Sequence, residues 1–249
     1  MTGVDLKITI IIPTYNEAEN LPKLFSALFL LPIEVNVLVV DDNSPDGTGR
    51  IADEISRSHA GRVHVLHRAG KGGLSTAYLE GFKALFPTDT TVIGQMDADF
   101  SHDPQALPEM VKELATCDLV LGSRYIPGGS TDVRWPMWRK ALSAWGNFYA
   151  RSILRIPIHD VTGGFRLWRK ETLQGMPLER VRSSGYIFMV EMAYLAYCMG
   201  NKIGEVPIYF ADRRWGKSKM SFRIQAEAAL RVWQVLWAFR DLRRKMPEG

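Results

Sequence analysis

Short apolar runs rich in β-branched residues alternate with helical segments through the first half of the chain. This alternation constrains the fold more than any other feature. Lys7 to Pro13, Val35 to Val40, Val63 to His67, Thr90 to Ile93 and Asp118 to Gly122 read as strands. Between the first two lies Glu17 to Leu31, with Leu21, Leu24, Phe25 and Leu28 at core spacing. The next helix runs to Arg57 behind Asp46, which can cap it; another opens at Lys71-Gly72-Gly73 and runs to Phe86; a Pro104-started helix runs to Ala115. Such repeated strand–helix units predict an α/β fold, a mostly parallel central sheet flanked by helices, with a Rossmann-like nucleotide-binding half.

The strand ends carry the chemistry. The Thr90 to Ile93 run delivers Asp97 and Asp99 at its C-terminal end, where ligands sit in open α/β sheets. At spacing i, i+2 in extended backbone both carboxylates point the same way and suit a hard divalent cation shared with phosphate oxygens. Asp is also common in turns, so the pair alone does not decide. Acidic residues also close the Val35 to Val40 strand, as Asp41-Asp42, and a Gly-rich turn follows the third strand. A nucleotide site along this edge is the natural inference. It is not of the dinucleotide kind, because no Gly-x-Gly-x-x-Gly follows the first strand.

Beyond about residue 125 the pattern changes. Pro127-Gly128-Gly129-Ser130 is a loop, Trp138 to Arg155 an amphipathic helix, Thr162-Gly163-Gly164-Phe165 a turn and Tyr186 to Met199 an apolar helix. Lys202 to Phe210 is a last strand. A charged loop, Asp212 to Lys219, precedes a final helix from Ser221 to Lys245. Its middle is apolar on more than one face, where a surface helix should show one stripe. The excess face packs on a partner, lies in a membrane interface, or fills a groove of the domain. Residues 1–220 are therefore expected to form the main domain and 221–249 an amphipathic appendage.

The 249 residues carry a net charge of +4. Arg134, Arg139, Lys140, Arg151 and Arg155 share a segment with Trp135, Trp138, Trp145, Phe148 and Tyr149, a mixture that fits an anionic membrane surface or a polyanionic substrate. No nucleic-acid module is present, so nucleic acid is not an expected partner. Met1 to Lys7 lacks the basic start and apolar core of a signal peptide, and no apolar stretch reaches the roughly 18 residues of a membrane span. Cys117 and Cys198 have neither metal nor redox spacing and read as packed, reduced thiols. None of the five histidines has metal-ligand spacing, and all read as structural or exposed.

Six motifs then occur in order: Ile12-Pro13-Thr14-Tyr15-Asn16-Glu17, Val40 to Thr48, Met96-Asp97-Ala98-Asp99, Gly122-Ser123-Arg124-Tyr125, Thr162-Gly163-Gly164-Phe165-Arg166 and Gly216-Lys217-Ser218-Lys219-Met220. Together they resemble the family 2 glycosyltransferases of GT-A fold and, within them, the polyprenol-phosphate (dolichol-phosphate) mannose synthases. The resemblance spans residues 7 to 222. It implies inverting transfer of mannose from GDP-mannose to a polyprenyl phosphate, a dolichyl-type lipid, at the cytoplasmic face of a membrane. Attachment would be peripheral or through a membrane-protein partner.

Carried over position by position, Pro13, Tyr15, Glu17, Val40 and Asp42 would hold the nucleoside. Asp97, Ala98 and Asp99 would meet ribose, diphosphate and a metal, Mg or Mn, with Asp97 and Asp99 as its ligands. Arg213 and Lys219 lie on a loop that closes over the donor diphosphate in relatives. Arg124 and Arg139 match positions that face the acceptor phosphate. Asp99, Arg124, Arg139 and Arg213 are the catalytic candidates. Ser101 stands where some relatives carry Gln and is not assigned as a ligand. Asp160 and Glu191 are the candidates for a side-chain base, each read rather as an internal hydrogen-bond acceptor. The alternatives are transfer of glucose or another hexose from a UDP-sugar, and a non-catalytic nucleotide-sugar-binding subunit of a membrane complex.

Overall fold

The computed structural model describes residues 6–212 and 222–243, apart from the side chains of residues 222–228. The strands are β1 (Ile8–Thr14), β2 (Val35–Asp41), β3 (Val63–His67), β4 (Val92–Gln95), β5 (Leu119–Ser123), β6 (Ser130–Thr131), β7 (Arg166–Arg169), β8 (Ile203–Pro207) and β9 (Tyr209–Phe210). The helices are α1 (Leu21–Phe29), α2 (Thr48–Ser58), α3 (Leu74–Leu85), α4 (Leu107–Leu114), α5 (Met137–Leu154), α6 (Lys170–Gly175), α7 (Gly185–Cys198), α8 (Phe222–Ala238) and α9 (Arg240–Arg243).

Seven strands make one sheet in the order β3-β2-β1-β4-β7-β5-β8. Every neighbouring pair is parallel except those of β7, which runs antiparallel between β4 and β5. β6 and β9 pair in a separate parallel ribbon. Because successive strand side chains point to opposite faces, the apolar runs feed two cores. Ile8, Ile10 and Ile12 of β1 join Val37 and Val39 of β2 under α1, α2 and α4. Ile11, Leu38 and Val40 face the other way, toward α3 and α7. α7 is buried nearly all round, packing on α3 and α8 and sharing a core with the sheet. Its one carboxylate, Glu191, accepts the backbone N–H of Arg182 at 3.2 Å and of Ser183 at 2.7 Å.

The second half departs from the sequence reading: among the described residues the helix expected from Ser221 to Lys245 is two, α8 and α9, broken at Phe239, and two further departures concern the strands. β7 was not anticipated, because Leu167 and Trp168 are its only apolar residues and an arginine stands at each end. Both arginines have backbone carbonyl partners: Arg166 donates to Gly163 and Val161, Arg169 to Cys117 and Leu114. The expected strand Lys202 to Phe210 is two strands. Pro207 has no amide to continue a ladder; Ile208 then donates to the Ser123 carbonyl at 3.0 Å, and the chain leaves the main sheet for the ribbon. Cys117 and Cys198 are both buried and unbridged.

Candidate active site

Backbone strain collects at the C-terminal edge of the sheet. Asn16, Asn43 and Phe100 follow β1, β2 and β4 with φ of 63°, 55° and 61°. Asn tolerates this region, but a phenylalanine there is a genuine outlier that persists only where the surroundings over-determine it. The first two loops are stapled to each other. Asp41 accepts Thr14 Oγ1 at 2.9 Å and the Ser44 N–H and hydroxyl, and Ser44 Oγ in turn accepts the Asn16 N–H. Asp46 accepts the N–H of Thr48, the first residue of α2, and the N–H of Ala18 across the gap.

The residues expected at the nucleoside line this cleft unevenly. Pro13 and Val40 are register partners; the Val40 side chain lies in the core, so only its backbone borders the cleft. Tyr15 is exposed, with Lys71 Nζ 3.8 Å from its ring centroid. Glu17 Oε2 accepts Asn20 Nδ2 at 2.7 Å. Asp42 is buried: Arg68 Nη1 meets one carboxylate oxygen, and the N–H groups of Gly72 and Gly73 meet the other at 3.2 and 3.3 Å. It therefore ties the start of α3 to the end of β2. Arg68 also bonds Glu80 and Thr76. Arg68 and Lys71 were missed from the sequence, although basic residues beside Gly70, Gly72 and Gly73 were a visible sign. Arg213 and Lys219 lie outside the described residues.

Past β4 the chain turns through Asp97-Ala98-Asp99. Ala98 is buried, Asp97 faces the cleft in part, and Asp99 Oδ1 accepts the Ser101 N–H at 3.0 Å. His102 sits beneath them, wholly buried. Burial lowers its pKa, outweighing the upward pull of Asp97 and Asp99, so the ring is neutral. Its Nδ1 accepts the Asp97 N–H at 3.1 Å, which puts the proton on Nε2. The 4.0 Å separation from Asp97 Oδ2 is therefore a neutral contact and no ion pair. Ser101 Oγ is buried without a hydrogen-bond partner among the described residues. The donors that this turn offers, two carboxylates and an unmet hydroxyl, are all oxygen, the chemistry a hard divalent cation takes. Among the described residues no group of three or more His, Cys, Asp or Glu could hold a metal by itself.

A cavity of about 480 Å³ opens on the far side of β9. Its polar end holds Arg124 and Arg139; its walls include Trp135, Trp138, Trp145, Tyr149, Tyr186 and Phe210, with Val232 of α8. Arg124 is pinned by Asp160, which accepts its Nε at 2.7 Å, its Nη2 at 2.8 Å and its backbone N–H at 3.0 Å. Burial opposes charge on both partners, yet their mutual attraction prevails, lowering the Asp160 pKa and raising that of Arg124. Arg139 lies 3.8 Å from the Trp135 ring centroid and donates to Asp212 at 2.9 Å. Phe210 touches His102 and Trp135, with ring centroids 5.5 and 5.7 Å away. One aromatic layer thus separates the carboxylate edge from the cavity. Asp160 and Glu191 are both engaged as internal acceptors. On the two helices that help to line it, Met137, Trp138, Trp145 and Phe148 of α5 and Leu230, Trp233 and Trp237 of α8 are exposed.

Comparison with known proteins places these observations. The description Glycosyl transferase family 2 matches residues 9–176. A polyprenol monophosphomannose synthase of Mycolicibacterium smegmatis is 44% identical over 232 residues, covering 93% of this chain and 86% of that one. An undecaprenyl-phosphate mannosyltransferase of Micrococcus luteus is 42% identical over 243 residues, 97% and 99% of the two chains. Among solved structures, glucosyl-3-phosphoglycerate synthase of Mycobacterium tuberculosis with Mn2+, uridine-diphosphate and phosphoglyceric acid superposes with a TM-score of 0.63. It is 17% identical, over 98% of this chain and 81% of that one, a likeness of fold. The sheet with its antiparallel β7 is the GT-A arrangement, and the chain belongs to glycosyl transferase family 2, whose members transfer glycosyl groups.

Proposed function

We propose that the protein transfers mannose from GDP-mannose to a polyprenyl phosphate, with inversion at the anomeric carbon, at the cytoplasmic surface of a membrane. The observation that carries this reading is the aromatic cavity with two arginines at its polar end, one ring away from the Asp97–Asp99 edge. An apolar tube closed by guanidinium groups suits a lipid chain ending in phosphate, since planar arginines hold phosphate oxygens bidentately. The names of the two relatives, each more than 40% identical, point the same way.

The donor would occupy the cleft above β1, β2 and β4. Pro13, Tyr15, Glu17, Val40 and Asp42 would border its nucleoside, and Asp97, Ala98 and Asp99 its ribose and diphosphate. Arg213 and Lys219 would meet the departing diphosphate. A divalent cation, Mg or Mn, would be held by Asp97 and Asp99 and would offset negative charge on the leaving group. A phosphomonoester has a second pKa of about 6, so near pH 7 its oxygen is already ionised and needs orientation more than deprotonation. Arg124 and Arg139 would aim that oxygen at the anomeric carbon. The new bond joins it to that carbon, and the bond to the diphosphate breaks with its electron pair going to the nucleotide. The appendage, residues 221–249, would lie in the membrane interface with the apolar residues of α5.

The test is mannose transfer from labelled GDP-mannose to a short polyprenyl phosphate, with Mg or EDTA, beside UDP-glucose. The expected product is lipid-extractable, metal-dependent and formed from GDP-mannose. Product from UDP-glucose alone would replace the sugar. Donor binding without transfer from either sugar would favour a binding subunit.

A further inference from the structure

The cavity's second arginine does not hold its own position. Arg139 stands on the first turn of α5, and a long, rotamer-rich side chain there would lose conformational freedom on gripping a ligand. Here its Nη1 donates to Asp212 Oδ1 at 2.9 Å while the guanidinium lies on the Trp135 ring. The same oxygen accepts Trp135 Nε1 at 3.1 Å, so one carboxylate oxygen fixes both faces of the stack.

Asp212 is itself fixed. Its N–H donates to Asp132 Oδ2 at 2.9 Å, and Asp132 is buried. Asp132 in turn accepts the Arg134 N–H at 2.8 Å and its guanidinium at 2.6 Å, and donates its own N–H to the Phe210 carbonyl. Asp212 therefore hangs from the ribbon of β6 and β9, whose Phe210 forms the wall between the two halves of the site. Among the described residues Asp212 takes only the Nη1 end of Arg139, and a guanidinium has five N–H donors. Among the described residues the remainder donates no other hydrogen bond and can serve an anion at the cavity's polar end.

We propose that Asp212 is a positioning residue for the acceptor phosphate, holding the Arg139 guanidinium against Trp135 so that it meets the phosphate pre-organised. This rests on reading the cavity as the acceptor site. The gain is entropic and orientational: the cost of ordering Arg139 is met on folding rather than on binding.

Two readouts test it: calorimetric affinity for a short polyprenyl phosphate without donor, and the separate KM values in mannose transfer. Asp212→Ala is expected to weaken acceptor binding and raise acceptor KM about tenfold, the size of one charge-assisted hydrogen bond. The GDP-mannose KM should stay within about twofold. Asp212→Asn retains an oxygen that both donors can reach and should recover acceptor affinity to within about threefold; failure of that rescue counts against the proposal. Because Asp212 acts through Arg139, Asp212→Ala should add nothing to Arg139→Ala. An additive loss in that background, or an equal rise in the donor KM, overturns the proposal. Acceptor binding that ignores Asp212 overturns it while leaving the cavity reading intact. Binding that needs Asp212 without any mannose transfer upholds it and removes the proposed reaction. No acceptor binding to the wild-type protein overturns both.

Discussion

Each arginine at the cavity's polar end has its own carboxylate, and the two pairs differ in depth. Arg139 and Asp212 are partly open to solvent, whereas the Arg124 side chain is 8% exposed and that of Asp160 fully enclosed. Removing one partner of such a buried pair typically costs about 3–5 kcal/mol, because the other charge stays behind without compensation. The pH dependence follows from the direction of the shifts. The folded-state pKa of Asp160 is depressed, so its stabilisation is complete above the unfolded value of about 3.9 and is lost as pH falls through the folded value. The Arg124 pKa is raised, so its contribution fades only at strongly alkaline pH. Asp160→Asn should therefore lower the melting temperature at pH 7 and flatten its decline on acidification from about pH 5 to pH 3. Parallel melting curves for variant and wild type over that range would contradict the assignment. At this scale the sequence revealed types and not partners. The carboxylates at strand ends were legible because an apolar run pointed to them. The pairing of Arg124 with Asp160, and of Arg139 with Asp212, crosses 36 and 73 residues, and no local pattern encodes it.

Among the elements, legibility followed burial by apolar residues. β1 to β5 each announce themselves by β-branched runs, and their ends differ from the sequence reading by only a residue or two. β7 was silent because its two arginines are solvated by carbonyl groups rather than by water. The break between β8 and β9 was visible in Pro207 once the missing amide is considered, yet the apolar residues on either side disguised it. α7 shows a different device. It is apolar all round and would have no preferred rotation, but Glu191 fixes it by accepting two N–H groups from the preceding segment, Arg182 and Ser183. Glu191→Ala leaves the buried Ser183 N–H unmet, at a cost of about 1–3 kcal/mol, and takes the partner from the N–H of Arg182, an exposed residue. Chemical denaturation should register a loss of about 1–3 kcal/mol with an unchanged slope. A loss below roughly 0.5 kcal/mol, the level of an ordinary surface change, would show that water replaces the carboxylate. Unlike Asp160, this residue contacts neither arginine of the cavity through a hydrogen bond and does not line it, so acceptor KM should move little in protein that remains folded.

For the molecule as a whole, the arrangement of apolar surface assigns an orientation. α8 buries Val232 and Val235 against the domain, as does Phe239 just after it, and leaves Leu230, Trp233 and Trp237 outside; α5, packed beside it, leaves Phe148 at 65% exposure. Both helices also line the cavity, and Arg240 lies over the Trp237 ring. No helix among the described residues is long and apolar enough to cross a membrane. A face of this kind is suited to lie in the interface, with tryptophans at headgroup depth and arginines toward anionic lipid. It would set the cavity mouth against the bilayer, so that a polyprenyl chain could enter without crossing water. Phe148, Leu230 and Trp237 do not line the cavity, which makes them the fair test. If each contributes about 1 kcal/mol of apolar burial in the interface, less than a fully buried side chain, replacing all three by Ser should weaken partition onto anionic vesicles roughly 100-fold. Turnover of a short, water-soluble polyprenyl phosphate should stay within about twofold, while turnover of a long-chain acceptor embedded in vesicles should fall with the partition. Unchanged co-sedimentation with vesicles would reject the interfacial face. A matching loss with the soluble acceptor would mean that the three residues shape the cavity after all, and that the chain's entry lies elsewhere.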